Sequence, residues 1–325
     1  MVQAFGWLNR PDVFTFRFAS ASRFLWHYLP SVMTINSPKV LKSRFVKSAD
    51  GTEIYADAAG NCSPSVPVIV MIPGFSMVKA AFDPIFEDPK WTSNAFLVRY
   101  DPRGHGRSGK PLNDESWESR CISQDFEAVC QEFGVTEAFV MGWSLGAAHF
   151  VDIASYNTSV SISGFITVEG ALCVDQATIF RISTPESFSV LAGLMQTTDV
   201  DAFQQGSLNF ISWLSDRLPP DLYRALLEGV ILVPRALATK FISRTHNMDA
   251  MIKKAQSGQI ELLLITGRRD KLVNATAVKA VYEEIGWKNY VYQHLDDGDH
   301  MPWLSVPDEF RETVLQWARE RNGRV

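Results

Sequence analysis

Residue types suited to nucleophilic catalysis gather around Ser144. The stretch Glu137-Ala138-Phe139-Val140-Met141-Gly142-Trp143-Ser144-Leu145-Gly146-Ala147-Ala148-His149-Phe150 passes from an apolar run into a Gly-x-Ser-x-Gly pentapeptide and then into small residues that open a helix. A serine hydroxyl is a weak nucleophile until a base takes its proton, and the turn must hold it in a strained backbone conformation pointing out of the fold. Gly142, Gly146 and Ala147 let the strand and helix backbones approach closely around it. At a helix N-terminus, free N–H groups and the positive dipole end favour a developing anion. The pentapeptide alone is made of common residues, and the strand before it and helix after it give it weight.

Such a nucleophile needs a base and a group that orients the base. Asp270 follows the apolar run Leu262 to Gly267, and His300 lies in Leu295-Asp296-Asp297-Gly298-Asp299-His300-Met301-Pro302, after the last expected strand. In a parallel sheet the C-terminal strand ends share one edge, so Ser144, Asp270 and His300 can converge there. Asp296, Asp297 and Asp299 lie close to His300, and Glu169 ends another strand. These four compete for the role of the acid, and Asp270 itself also reads as a helix N-cap; its strand-end position favours it. His149 is expected to pack on the helix after the serine, while His27, His246 and His294 read as structural or surface residues.

The elements that must position these groups alternate along the chain. Strands are expected at Val40 to Val46 and Thr52 to Ala58, joined by Ser48-Ala49-Asp50-Gly51, and at Val66 to Ile72, Ala95 to Tyr100, Ser163 to Val168, Ile260 to Thr266 and Asn289 to Leu295. Helices are expected at Cys121 to Phe133, from the serine turn to about Tyr156, at Val273 to Ile285 and at Pro307 to Arg321. This alternation predicts an α/β fold with a mostly parallel, eight-stranded sheet and helices on both faces. From about Leu172 to Ser257 the strand pattern stops, and helices are expected at Pro185 to Gln196, Val200 to Asp216 and Asp221 to Arg244. The domain organisation follows: an N-terminal extension over 1–39, a core from 40–171 and 258–325, and an inserted helical segment over 172–257.

Composition narrows the function classes. The chain has 325 residues, 46% hydrophobic and 21% charged, with a net charge of −5, which gives no electrostatic reason to expect nucleic acid as a partner. Cys62, Cys121, Cys130 and Cys173 show neither zinc-ligand spacing nor a disulfide framework and read as free thiols of a reducing compartment. No run of about 18 apolar residues marks a membrane span. The first 44 residues carry six Lys/Arg against one acid, Asp12, and many aromatics. Three readings stand for this segment: a mitochondrial transit segment, an amphipathic helix making peripheral membrane contact, or an extension packed on the domain. The expected location is cytoplasmic, with mitochondrial as the alternative.

In four motifs the chain resembles the α/β-hydrolase fold superfamily from about residue 40 to its end. They are Pro73-Gly74-Phe75, Asp101-Pro102-Arg103-Gly104-His105-Gly106-Arg107-Ser108, the Gly142 to Gly146 elbow, and Gly267 to Asp270 paired with His300. The order Ser, Asp, His is the order of that architecture. In general look the chain is similar to the esterases and cofactor-free haloperoxidase-like enzymes. The resemblance implies that Ser144 attacks a carbonyl, His300 moves the proton and Asp270 holds the imidazole. It also implies an oxyanion hole from the N–H groups of Phe75 and Leu145, and a helical cap over 172–257. Members usually carry His-Gly where this chain has Pro73-Gly74. His105, Asp101 and Arg103 fit a structural turn of the family. Trp143, Met195, Phe210 and Trp213 are the candidate substrate contacts, in an apolar pocket taking a hydrophobic small molecule. The expected activity is a two-step serine hydrolysis of a carboxylic ester or related acyl bond without metal or organic cofactor. The same triad also serves C–C bond hydrolysis, lyase or perhydrolase chemistry, and a ligand-binding receptor or interaction protein on this scaffold is the alternative of another class.

Overall fold

The computed structural model describes residues 41–322 apart from 171 and 238. The expectations for the first 39 residues, His27 included, lie outside the described residues.

Eight strands form one sheet: β1 (Leu41–Lys47), β2 (Glu53–Gly60), β3 (Val68–Ile72), β4 (Phe96–Tyr100), β5 (Glu137–Trp143), β6 (Ser161–Val168), β7 (Leu262–Gly267) and β8 (Tyr290–Leu295). Their order across the sheet is β1-β2-β4-β3-β5-β6-β7-β8. The β1–β2 hairpin and the β2–β4 pairing are antiparallel, and the remaining pairings are parallel. The ends of β3 and β5 to β8 therefore open on one edge, as the sequence pattern predicts.

Twelve helices are found among the described residues. They are α1 (Asp83–Glu87), α2 (Pro89–Thr92), α3 (Ser119–Glu132), α4 (His149–Tyr156), α5 (Gln176–Ile182) and α6 (Ser187–Leu194), then α7 (Val200–Leu214), α8 (Pro220–Leu232), α9 (Asp249–Ser257), α10 (Ala275–Ile285), α11 (Pro302–Ser305) and α12 (Pro307–Arg319). β3 shows why the sheet is covered on both faces. Its alternate residues Val70 and Ile72 join one core with Phe126 and Val129 of α3 and Phe150 of α4. Ile69 and Met71 join a second core with Phe310 and Val314 of α12. Successive side chains of a strand point to opposite faces, so a strand apolar at every position needs helices above and below it. Each such side chain, fully buried, contributes about 1.5–3 kcal/mol.

Between β6 and β7 the chain runs through α5 to α9, with no strand among the described residues. The expected helix over Asp221 to Arg244 stops at Leu232, because Val233 precedes Pro234 and adopts an extended conformation, with ψ 115°. Proline lacks the N–H that would continue the helix and disfavours the helical region for the residue before it. Two helices of this segment, α5 and α9, went unread in the sequence. Asp175 caps α5 by accepting from the N–H of Thr178 at 2.9 Å, and α9 lies against α4, with Lys254 Nζ donating to the Ala154 carbonyl at 2.7 Å.

Candidate active site

β5 delivers Ser144 to the C-terminal edge of the sheet, and a 3-10 turn, Ser144–Ala148, leads into α4. Ser144 has φ 53°, the left-handed region that costs a non-glycine residue about 1–2 kcal/mol. Small neighbours make that turn feasible. A Cβ on Gly146 would stand 2.3 Å from the Ile72 carbonyl oxygen, and one on Gly74 would stand 2.9 Å from Ser144 Cβ. The turn is thus wedged against the end of β3 and the loop that follows it. Ser144 is half-buried, whereas Trp143 before it and Ala147 after it are fully buried.

β7 and β8 deliver the second and third groups. His300 Nδ1 and Asp270 Oδ2 are 2.6 Å apart, with side chains 1% and 0% exposed. The other oxygen of Asp270 accepts from the N–H groups of Leu272 at 2.7 Å and Val273 at 3.1 Å. Asp270 is therefore a turn-forming carboxylate whose free edge is aimed at the imidazole. The competitors near His300 are engaged elsewhere. Asp299 accepts from Ser215 Oγ at 2.6 Å and from the N–H of Met301 at 3.0 Å, and Asp296 lies 3.6 Å from Arg268 at the surface. Trp143 ties the histidine to the serine turn: its Nε1 donates to the His300 carbonyl at 2.7 Å, and the two rings pack with centroids 5.4 Å apart.

Ser144, Phe75 and Leu145 line one cavity of about 720 Å³. Leu145 is in the first turn of its helix, where N–H groups lack intrahelical partners. Phe75 follows Gly74, which lies against Ser144, in the loop after β3. Of the four substrate-contact candidates, Met195 and Phe210 line this cavity together with Ile179 of α5 and Leu191 of α6. Trp143 and Trp213 are not brought there. Trp143 is wholly buried beneath His300 and against Phe82 and Trp303, and Trp213 packs on the second core.

Polar residues of the cavity lining include Glu169, Arg244 and His246. Glu169, which follows β6, is fully buried at φ 49°. Arg244 and His246 come from the irregular segment after α8; Arg244 makes two 2.7 Å bonds to Asp152 of α4, and His246 Nε2 is 3.3 Å from the same carboxylate. Burial pushes the Asp152 carboxyl up, but the charge of Arg244 beside it prevails and holds it at about 2. His246 had no legible signal in the sequence, since the segment lacks any period. Cys173 also lines the cavity; burial raises its thiol to about 11, so it is not a thiolate at neutral pH.

The glycine-rich loop after β4 is built as a brace. Asp101 accepts from the N–H groups of Lys79 at 2.8 Å and Arg107 at 3.0 Å. Buried Arg103 donates to Asp125 of α3 at 2.6 and 2.7 Å and to Asp50 at 2.9 Å. Burial drives the His105 imidazole down to about 4, so it is neutral at physiological pH. His149 stacks on Phe241 with centroids 4.8 Å apart, and burial drives it down to about 3.

A mostly parallel eight-stranded sheet, with a serine at the strand–helix elbow and an aspartate–histidine pair at the same edge, defines the α/β-hydrolase fold. The profile of the Alpha/beta hydrolase family matches residues 69–313, and the chain belongs to that family. Among solved structures it is similar to esterase RhEst1 from Rhodococcus sp. ECU1013, with 22% identity, 86% of this chain and 100% of that one covered, and a TM-score of 0.72. It is also similar to the N-acyl homoserine lactonase AidH complexed with N-butanoyl homoserine, with 18% identity, 87% and 98% covered, and a TM-score of 0.70. Both identities establish likeness of fold. Among curated proteins it matches the "Probable oxidoreductase EphD" of Mycobacterium tuberculosis (strain ATCC 25618 / H37Rv), 34% identical over 95 residues. That match spans 29% of this chain and 15% of the relative's length.

Proposed function

We propose that this protein is a serine hydrolase that cleaves a carboxylic ester or related acyl bond of a hydrophobic small molecule through an acyl-enzyme. The observation that carries the proposal is the buried 2.6 Å Asp270–His300 pair, tied through Trp143 to the strained turn that presents Ser144 to a cavity. Ser144 Oγ adds to the substrate carbonyl while His300 Nε2 accepts its proton. Asp270, hydrogen-bonded at Nδ1, keeps the imidazole in the tautomer with Nε2 free and stabilises the imidazolium. The N–H groups of Phe75 and Leu145 receive the oxyanion, each supplying about 3 kcal/mol. His300 then returns the proton to the departing alcohol, and water repeats the cycle on the acyl-enzyme.

Helices of the segment 172–257 act as the cap of this site. Ile179, Leu191, Met195 and Phe210 form an apolar wall of the cavity that contains Ser144, which suits an acyl chain or aromatic group. The esterase and lactonase names of the two fold relatives agree with acyl chemistry. A panel of aryl esters graded by acyl length tests the proposal: turnover should rise with chain length until the cavity is filled. Met195→Ala or Phe210→Ala should move the optimum to longer chains by enlarging the cavity. A folded enzyme inactive on every member of the panel would contradict the proposal.

A further inference from the structure

Glu169 is a buried acid that the acyl-transfer steps leave unused. It follows β6 at the edge where Asp270 and His300 follow β7 and β8. It is 0% exposed, and its backbone N–H donates to the Ile265 carbonyl at 3.0 Å. Its φ of 49° is one of three non-glycine residues in the left-handed region among the described residues, beside Ser76 and Ser144. Strain of this kind persists only where surrounding structure enforces it, and it concentrates at functional sites. The carboxyl lies against bare backbone, since a Cβ on Gly267 would stand 2.8 Å from Glu169 Oε1.

Neither oxygen of Glu169 has a hydrogen-bond donor among the described side chains. The group it touches is the carboxyl of Asp270, with Asp299 the next charged group facing it, from the loop after β8. Asp270 already has two backbone N–H groups on one oxygen and His300 on the other. Two buried carboxyl groups in contact cannot both ionise, and a hydrogen bond between them requires a proton on one. Asp270 is thus the carboxyl of the pair that is supplied with donors. Glu169 has burial and the charges of Asp270 and Asp299 against its anion, and they outweigh the N–H of Gly267, so its carboxyl is raised well above the usual range.

We infer that Glu169 is a neutral carboxylic acid that donates its proton in a hydrogen bond to Asp270 and so sets the charge Asp270 presents to His300, an inference that rests on the serine-hydrolase reading above. Glu169 is a positioning residue: its proton stays in place while the Ser144 proton travels to His300 and on to the leaving group. The donated bond fixes the second face of the Asp270 carboxylate. It also withdraws charge from Asp270, which weakens the hold of Asp270 on the imidazolium and lets His300 release its proton at lower pH. The enzyme thereby keeps its base free further into acid.

Infrared difference spectroscopy of the full chain, wild type minus Glu169→Gln at neutral pH, reads the protonation directly. The carbonyl band of a neutral, buried carboxylic acid in the wild type, lost in the variant, is expected; a carboxylate band lost instead would overturn the inference. The pH profile of kcat/KM on an aryl ester reads the consequence. Glu169→Gln retains a donor and the same charge, so its acid limb should coincide with that of wild type. Glu169→Leu removes the donor; its acid limb should move to higher pH, with kcat down about tenfold, the loss for one hydrogen bond to a charged group, and KM little changed. An acid limb that falls in Glu169→Gln, or profile and kcat unchanged in Glu169→Leu, would contradict it. Should Glu169→Leu not fold, the infrared band and the Glu169→Gln profile still decide. Should no ester be turned over, the hydrolase reading fails while the band still reports the state of Glu169.

Discussion

At the scale of single residues, the site turns on which acid holds the imidazole. Four other carboxyls lie near enough in sequence or in space to compete, and the geometry separates them by their partners: Asp270 spends one oxygen on its own turn and aims the other at His300. Asp270→Asn should lower kcat on an aryl ester by about four orders of magnitude, because the amide stabilises the wrong tautomer and cannot offset the imidazolium charge. Asp296→Asn and Asp297→Asn, at exposed positions, should retain near-normal rates. A near-normal rate in Asp270→Asn would move the role elsewhere. Ser144, Asp270 and His300 could be nominated from the sequence because each lies in a turn just after a strand, which is a local pattern. The contact between Glu169 and Asp270 was not, since it joins the ends of two strands about a hundred positions apart in the chain. His246 was illegible for the same reason, reaching Asp152 only through the fold.

At the scale of elements, the elbow is held by the absence of side chains. Gly146 packs its Cα against the end of β3, where any Cβ meets a backbone oxygen that cannot move aside. Gly146→Ala should cost about 1–3 kcal/mol as overpacking, read as a lower midpoint in urea unfolding, and should lower kcat more than its loss of stability explains, because Ser144 shifts with the turn. An alanine variant as stable and active as wild type would contradict this packing. The strands were readable from runs such as Val68–Ile72, in which every residue is apolar because both faces are covered. The segment between β6 and β7 was less readable. Its helices must face both the cavity and their own neighbours, which blurs a single apolar stripe, and the stop at Pro234 lay inside a stretch that otherwise reads as one helix. The irregular chain after it, which carries Arg244 and His246 to the cavity wall, has no pattern to read.

At the scale of the whole molecule, acid should unfold the protein through His105 and His149 before its carboxylates. His105 and His149 are held at about 4 and 3 by burial, below the ordinary 6.5. The unfolded chain therefore binds protons at these positions that the native protein refuses, and stability falls as pH drops from about 6.5 towards 4 and 3. Asp152, held at about 2 against an ordinary 3.8, adds stability above that ordinary value which is lost as pH falls towards 2. Urea midpoints should decline between pH 7 and pH 4.5, and His149→Phe should flatten that decline; a midpoint constant across the interval would contradict the burial of these rings. The central claim is that Ser144 is an activated nucleophile, and covalent labelling tests it most directly. A fluorophosphonate probe should modify the wild-type chain at Ser144 and leave Ser144→Ala unmodified. A folded wild-type protein that fails to label, or equal labelling of the Ser144→Ala variant, would contradict it.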